Sequence, residues 1–368
     1  MSEERNNNRL VYHIFNARQI HLVPGFIAQF QDIGARFGIP TRFVLCGYSQ
    51  DLYEKYKKLI DEIGADKFEL IEDSWGTLLA RMNTILGNRN SRFIIHGIVL
   101  KLWYLLSTLY AHQARRFSWV CWGSGIEEKG ALQHLMKKRL YNSFNKINCL
   151  MSADKNDLMA RFRVNGKAHL IPYVSNYDLK ELDHIAPYFN ADKVNILVGH
   201  RATPYLNHLP LLQQLSSYAD RDIRVICFLN YGSDDQQYIR RVKETGIAMF
   251  GDKFVPVTQL LSKDEYEGVM KSVNVTLIAG KGQAGLGAIY RTILYKGSVF
   301  LDGDGKNMEW LQYMHVKACR IEDLPRYSFE EFVAVINEQQ KLENQRTFLE
   351  FVDKKRLLDQ WKDFIVMD

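Results

Sequence analysis

At 368 residues the chain exceeds what one hydrophobic core ordinarily supports and reads as two domains of roughly 150 to 200 residues. Its 46% hydrophobic and 24% charged content, with 24 Gly and only 8 Pro, excludes collagen-like, low-complexity and disordered classes. The 5 cysteines stand singly, which argues against a disulfide framework or zinc knuckle, and the net charge of +6 is local, because residues 101–167 carry 12 basic against 4 acidic side chains.

The first eight residues are polar and lack the apolar core of a secretory signal, so a cytosolic chain is expected. Short apolar runs at 10–15, 42–46, 92–95 and 119–122 read as buried strands, separated by helical patterns at 25–37, 51–63, 75–86, 99–111 and 129–145. The most hydrophobic stretch, 94–111, is interrupted by His96 and Lys101 and is too short to span a bilayer. Segment 101–139 combines Lys101, Arg115, Arg116, Lys137, Lys138 and Arg139 with Trp103, Tyr104 and Trp119. It reads either as a face for anionic headgroups or a polyanionic lipid substrate, or as a plain solvated helix face. No nucleic-acid motif accompanies it, so no nucleic-acid partner is expected.

The polar segment 176–193 ends this series and places a domain boundary near 190. A second series follows, with strands at 195–198, 224–229, 275–278 and 299–301 and helices at 207–218, 234–245, 262–272 and 285–296. Strand-helix repetition in both halves predicts an α/β fold with two parallel sheets, spanning 1–190 and 191–335. The charged segment 336–368 is helical in period and packs its apolar face, including Trp361 and Phe364, back on the body.

Ligands of open α/β sheets bind beyond the carboxyl ends of strands, which directs attention to the loops there. Gly280-Lys-Gly282-Gln283-Ala-Gly285 follows a strand and opens a helix, where amides and the helix dipole can hold phosphate. It also matches G-x-G-x-x-G, with Asp302 near the position of a ribose acid, so an NAD(P)-dependent oxidoreductase is one alternative. Gly199-His200-Arg201-Ala202-Thr203 brings a cation to a strand end, and Asn230-Tyr231-Gly232 brings an aromatic ring. Asp302-Gly-Asp304-Gly305 reads as turn chemistry rather than a metal site. In the first half His13, His21, His96, Glu127 and Glu128 fall at or after strand ends, where a general base would sit.

These residues carry a likeness. The chain resembles the bacterial 4-alpha-L-fucosyltransferases of glycosyltransferase family 56 through His13, His21, Ile95-His96-Gly97, Trp119-x-x-Trp122-Gly123, Ile196-Leu-Val-Gly199, Tyr238-Ile-x-x-Val242 and Gly285-Leu-Gly287. The resemblance implies a GT-B architecture, in which two Rossmann-like domains face each other across a cleft. The acceptor would then sit mainly on the first domain and the nucleotide-sugar donor on the second. It assigns Gly199, Arg201, Thr203, Tyr231, Gly232, Tyr266, Gln283 and Gly285 to the donor, with no required metal and no cofactor beyond the nucleotide diphosphate sugar. It also implies transfer of a fucose-type deoxy-sugar to a polyprenyl-diphosphate-linked glycan, with segment 101–139 at the inner membrane face. The candidate bases are His96 and His21, then Glu127. Two departures stand out: Val120 replaces a family His, and Gly125 replaces a family Asp. They motivate a second alternative, a catalytically silent glycan-binding module of the same fold.

Overall fold

A computed structural model of the protein describes residues 9–20, 22–123, 125–128, 130–164, 167–174, 179–232 and 235–366. The chain divides into two compact units: Met1–Ser175 with Lys354–Asp368, and Asn176–Asp353. The first contains a seven-stranded parallel sheet in the order β3-β2-β1-β4-β5-β6-β7, built from Val11–Asn16, Thr41–Tyr48, Phe68–Glu72, Arg92–His96, Phe117–Cys121, Ile147–Cys149 and Ala168–Leu170 as β1 to β7. The second contains a six-stranded sheet in the order β10-β9-β8-β11-β12-β13, from Val194–Val198, Ile223–Phe228, Phe254–Val257, Val275–Ile278, Ser298–Leu301 and Cys319–Arg320 as β8 to β13. Every pairing is parallel. Central strands such as β1, β5 and β11 are buried almost throughout, as sheets covered on both faces require.

In both sheets the first strand, β1 or β8, has its sequential neighbours on one side and a later strand, β4 or β11, on the other. Connections therefore leave these two strands in opposite directions, which creates a topological switch point beyond their carboxyl ends. The strands absent from the expected pattern are short or lie toward the sheet edges. β3, β7, β10 and β13 are only partly buried, and β6 has three residues, so none displays a sustained apolar run.

The division between units falls at 175/176 rather than near 190, because residues after the boundary bind the second unit. Lys271 Nζ donates to the carbonyls of Leu182, Asp183 and Ile185, and the Tyr188 amide donates to Gly268 O at 2.9 Å. The C-terminal segment is also split. Helix Glu338–Phe351 stays with the second unit through paired Asn344–Lys317 hydrogen bonds, whereas helix Lys354–Val366 returns to the first. There Trp361 is fully buried, donates Nε1–H to Pro172 O at 2.9 Å and meets Phe30 edge-on at 5.0 Å. Stretch 94–111 forms the end of β4, the short helix Leu100–Ser107 and a connector; no helix among the described residues is long and apolar enough to cross a membrane.

Candidate active site

The second unit gathers its candidate residues at the β8/β11 switch point. The loop after β8 starts at Gly199, whose φ of +70° suits glycine and whose amide donates to Leu277 O at 2.9 Å. A Cβ there would collide with the ring of His208, so the loop lies directly on helix His208–Leu215. His208 is buried and shares a 2.8 Å hydrogen bond between Nδ1 and Tyr238 Oη. Arg201 lies beneath Gly232, where a Cβ would come within 2.8 Å of its Cδ, and the Ala202 amide donates to Tyr231 O at 2.8 Å. The turns after β8 and β9 are thereby locked together, which places Gly199, Arg201, Tyr231 and Gly232 in one constellation.

The glycine loop after β11 closes the same region. Gly285, with φ +67°, begins helix Leu286–Leu294, and a Cβ on it would stand 2.8 Å from His200 Nδ1. Gly280 and Gly282 have their close neighbour in Tyr205, to whose hydroxyl the Gly282 amide donates. These glycines thus accommodate side chains of the chain's own β8 loop, which explains the G-x-G-x-x-G spacing without a dinucleotide. Moreover, β11 is the fourth strand of its sheet in chain order, whereas a dinucleotide fingerprint marks the first strand-helix turn. Asp302 Oδ1 accepts the Asp304 amide at 3.2 Å, the expected turn chemistry.

Several buried polar atoms here have no partner among the described residues: His200 Nδ1, Arg201 Nε, Asn230 Oδ1 and Gln283 Oε1. Buried polar atoms are nearly always satisfied, so a concentration of exceptions in one loop cluster makes it the candidate place for a ligand. Burial first, then the Arg201 charge, lowers His200 to about 3, so it is neutral at physiological pH. Burial lowers His208 to about 4 despite a backbone hydrogen bond at Thr203 that acts the other way.

The remaining donor candidates lie nearby in chain terms, but one is engaged elsewhere. Tyr266 packs against Phe228 at 5.5 Å and under the Arg291 guanidinium at 5.3 Å. Arg291 in turn pairs with the buried Glu267, Nη2 to Oε1 at 2.6 Å. His200 stands beside Arg201 in the sequence but, like Tyr205 and His208, is not among the expected donor residues. Tyr205 and His208 lie in the continuation of the β8 loop, and the signal for them was the aromatic and histidine content directly after Arg201.

The first unit treats its candidates differently. His96 ends β4 fully buried, with Nε2 at 2.9 Å from His13 Nδ1 and Nδ1 at 2.8 Å from Tyr173 Oη. Trp122 Nε1 donates to the same hydroxyl at 2.9 Å, and the rings of Phe15 and Phe30 lie 4.3 and 4.8 Å from His96. Burial, then the neighbouring His13, holds His96 well below its ordinary value, and burial takes His13 to about 3. His96, a candidate base by its place at the end of β4, thus has no exposed surface, and both of its ring nitrogens face partners within the unit, His13 and Tyr173. His21 lies outside the described residues. Glu127 is exposed, and its carbonyl accepts from Lys137 Nζ.

The basic-aromatic stripe does not form as drawn. Trp103 and Trp119 are core residues, Arg116 caps the carbonyls of Leu86, Asn88 and Ser91, and Lys137 donates to Gly125 O at 2.8 Å. At Gly125 a Cβ would stand 2.4 Å from the Trp119 ring, so a side chain there requires that ring to shift.

Comparison with known proteins is consistent with this architecture. The family model described as 4-alpha-L-fucosyltransferase glycosyl transferase group 56 matches residues 31–317. The chain belongs to glycosyltransferase family 56. Solved structures similar to this family 56 chain include a glycosyltransferase from Rickettsia africae, with TM-score 0.72 at 16% identity, covering 98% of this chain and 100% of that one. HepE of Anabaena in complex with UDP has TM-score 0.70 at 11% identity over 97% and 99% of the two chains. A UDP-forming trehalose-phosphate synthase from Burkholderia xenovorans has TM-score 0.64 at 10% identity, covering 97% of each chain. At these identities the likeness is one of fold, and the family 56 glycosyltransferase has the GT-B type of two Rossmann-like units.

Proposed function

We propose that this family 56 glycosyltransferase binds a nucleoside diphosphate sugar at the β8/β11 switch point and transfers a fucose-type deoxy-sugar to a glycan carried on a polyprenyl diphosphate. The observation that carries the donor assignment is the cluster of unpartnered buried atoms on His200, Arg201, Asn230 and Gln283 around Gly199 and Gly285. Arg201 and the amide N–H groups at the start of helix Leu286–Leu294 supply positive potential where the diphosphate departs, without a divalent cation. Neutral His200 offers a hydrogen bond without adding charge. Tyr231 and Tyr205, 47% and 46% exposed, are the flat surfaces available to a base.

In the reaction, the acceptor hydroxyl oxygen bonds to the anomeric carbon as the bond to the diphosphate oxygen breaks, and the hydroxyl proton passes to a base. Glu127, exposed after β5, is the described candidate whose carboxylate is open to a hydroxyl. Membrane contact is assigned to the neighbouring helices Leu100–Ser107 and Ala131–Ser143, which expose Leu100, Tyr104, Leu132 and Leu135 beside Arg139.

The test is thermal stabilisation by dTDP, UDP, GDP, NAD and NADP in the presence of a chelator. A ligand of the native state at 100 times its Kd adds about 2.7 kcal/mol. Stabilisation by one nucleoside diphosphate, weakened roughly tenfold or more in Arg201→Ala, supports the reading. Stabilisation by NAD(P) alone overturns it in favour of the oxidoreductase, and nucleotide binding without transfer to any glycan leaves a silent module.

A further inference from the structure

The first unit holds a cavity of about 230 Å³ that the donor assignment does not use. It opens beyond the carboxyl ends of β1, β2 and β3 and is bounded by Leu100 and Lys101, which follow β4. Because β1 and β4 are adjacent and their connections diverge, this is the switch point of the first sheet.

The polar groups of this cavity are organised around one carboxylate. Arg18 Nη2 donates to Asp73 Oδ2 at 2.8 Å, and Lys101 Nζ donates to Asp73 Oδ1 at 2.6 Å and to the Asp73 carbonyl at 2.9 Å. A carboxylate has about four acceptor positions, so these two cations leave room on Asp73 for further donors. The Arg18 side chain is 67% exposed and has five N–H groups, of which Asp73 uses one. Glu72 also lines the space, so two acids balance two bases and nothing selects an anion over a neutral ligand.

Trp75 stands directly after Ser74, the capping residue of helix Trp75–Gly87, and is 46% exposed. Lys101 Nζ lies 5.8 Å from the centroid of its ring. Donors and acceptors held side by side, next to an indole with accessible surface, match a pyranose ring. Adjacent hydroxyls both give and accept hydrogen bonds, while the C–H face of the sugar packs on an aromatic surface.

We propose that this cavity is a subsite for a neutral pyranose of the acceptor glycan, in which Asp73 and Arg18 hold neighbouring hydroxyls and Trp75, which stands beside Lys101 just outside the lining, borders the sugar at the mouth. That the sugar is an acceptor rests on the glycosyltransferase reading; that a sugar binds here does not. The space is too small for a chain of sugars, so one residue is read inside it.

Saturation-transfer NMR on the full chain tests this with the methyl glycosides of glucose, galactose, mannose and N-acetylglucosamine, and with phosphorus NMR of inorganic pyrophosphate as the anion probe. At least one glycoside gives a signal that falls tenfold or more in both Trp75→Ala and Asp73→Asn, while Trp75→Phe retains part of it. Both altered residues are substantially exposed, and circular dichroism with an unchanged nucleotide-induced thermal shift verifies the fold. No signal from any glycoside, a signal indifferent to both variants, or binding of pyrophosphate in place of sugar overturns the subsite. A Trp75-dependent sugar signal in a protein that binds no nucleotide would instead leave the subsite standing and remove the transferase reading.

Discussion

Replacing His96 by Ala separates a catalytic from a structural histidine. The side chain removed is fully buried, makes hydrogen bonds of 2.9 Å to His13 and 2.8 Å to Tyr173, and lies against Phe15 and Phe30. Loss of two buried hydrogen bonds costs about 1 kcal/mol each, and the void left by an imidazole-sized ring adds about 2 to 3 kcal/mol. The expected destabilisation is therefore about 4 to 5 kcal/mol. Tryptophan fluorescence during urea unfolding is the assay, because Trp75, Trp103, Trp119, Trp122 and Trp361 all lie in the first unit and Trp310 alone in the second. The midpoint should fall steeply, and His96→Phe should recover part of the loss by filling the void while leaving Tyr173 without its nitrogen. A variant within about 1 kcal/mol of the parent but with turnover lowered a thousandfold would refute the argument and return His96 to the chemistry.

Two further outcomes follow from the same geometry. His13, His200 and His208 are held near 3, 3 and 4 by burial, below the unfolded value of 6.5, so the unfolded chain binds more protons in acid. The stability they permit is complete above pH 6.5 and is lost as pH falls toward 3 to 4; at pH 5 each costs about 2 kcal/mol, and urea midpoints at pH 7 and 5 should differ accordingly, with a smaller difference in His13→Gln. A pH-independent midpoint would show that these rings titrate normally. At Gly285, alanine would adopt φ +67° at a cost of about 1 kcal/mol and press on His200 at 2.8 Å. Nucleotide affinity in Gly285→Ala, measured by calorimetry, should fall more than the melting temperature does; loss of stability with intact affinity would detach the glycine loop from the donor site.

Much of the site was legible because strand ends and loop residues are sequence properties. A strand entering Gly199-His200-Arg201 and another entering Gly280 to Gly285 are visible in the chain, since apolar runs end where glycine permits a turn and charge requires solvent. The edge strands were not legible: β7 and β13 have three and two residues, and half-buried edges need no continuous apolar pattern. Nor was the fate of Trp103 and Trp119, which sequence places beside basic residues and the fold places in the core.

The sequence by itself determined the α/β alternation, the two sheets and the glycine-bearing loops at their strand ends, because hydrophobic period and glycine placement act locally. Tertiary structure alone decided which polar residues are spent inside the fold. His96 stands at a strand end in the sequence, and only the fold brings His13, 83 residues away, and Tyr173, 77 residues away, to its two nitrogens. Asp73 carries no signal in its own stretch of sequence, and only the fold brings Arg18 and Lys101 onto its carboxylate. Long-range hydrogen bonding and burial set the chemistry of a polar side chain, and neither is encoded in the residues adjacent to it.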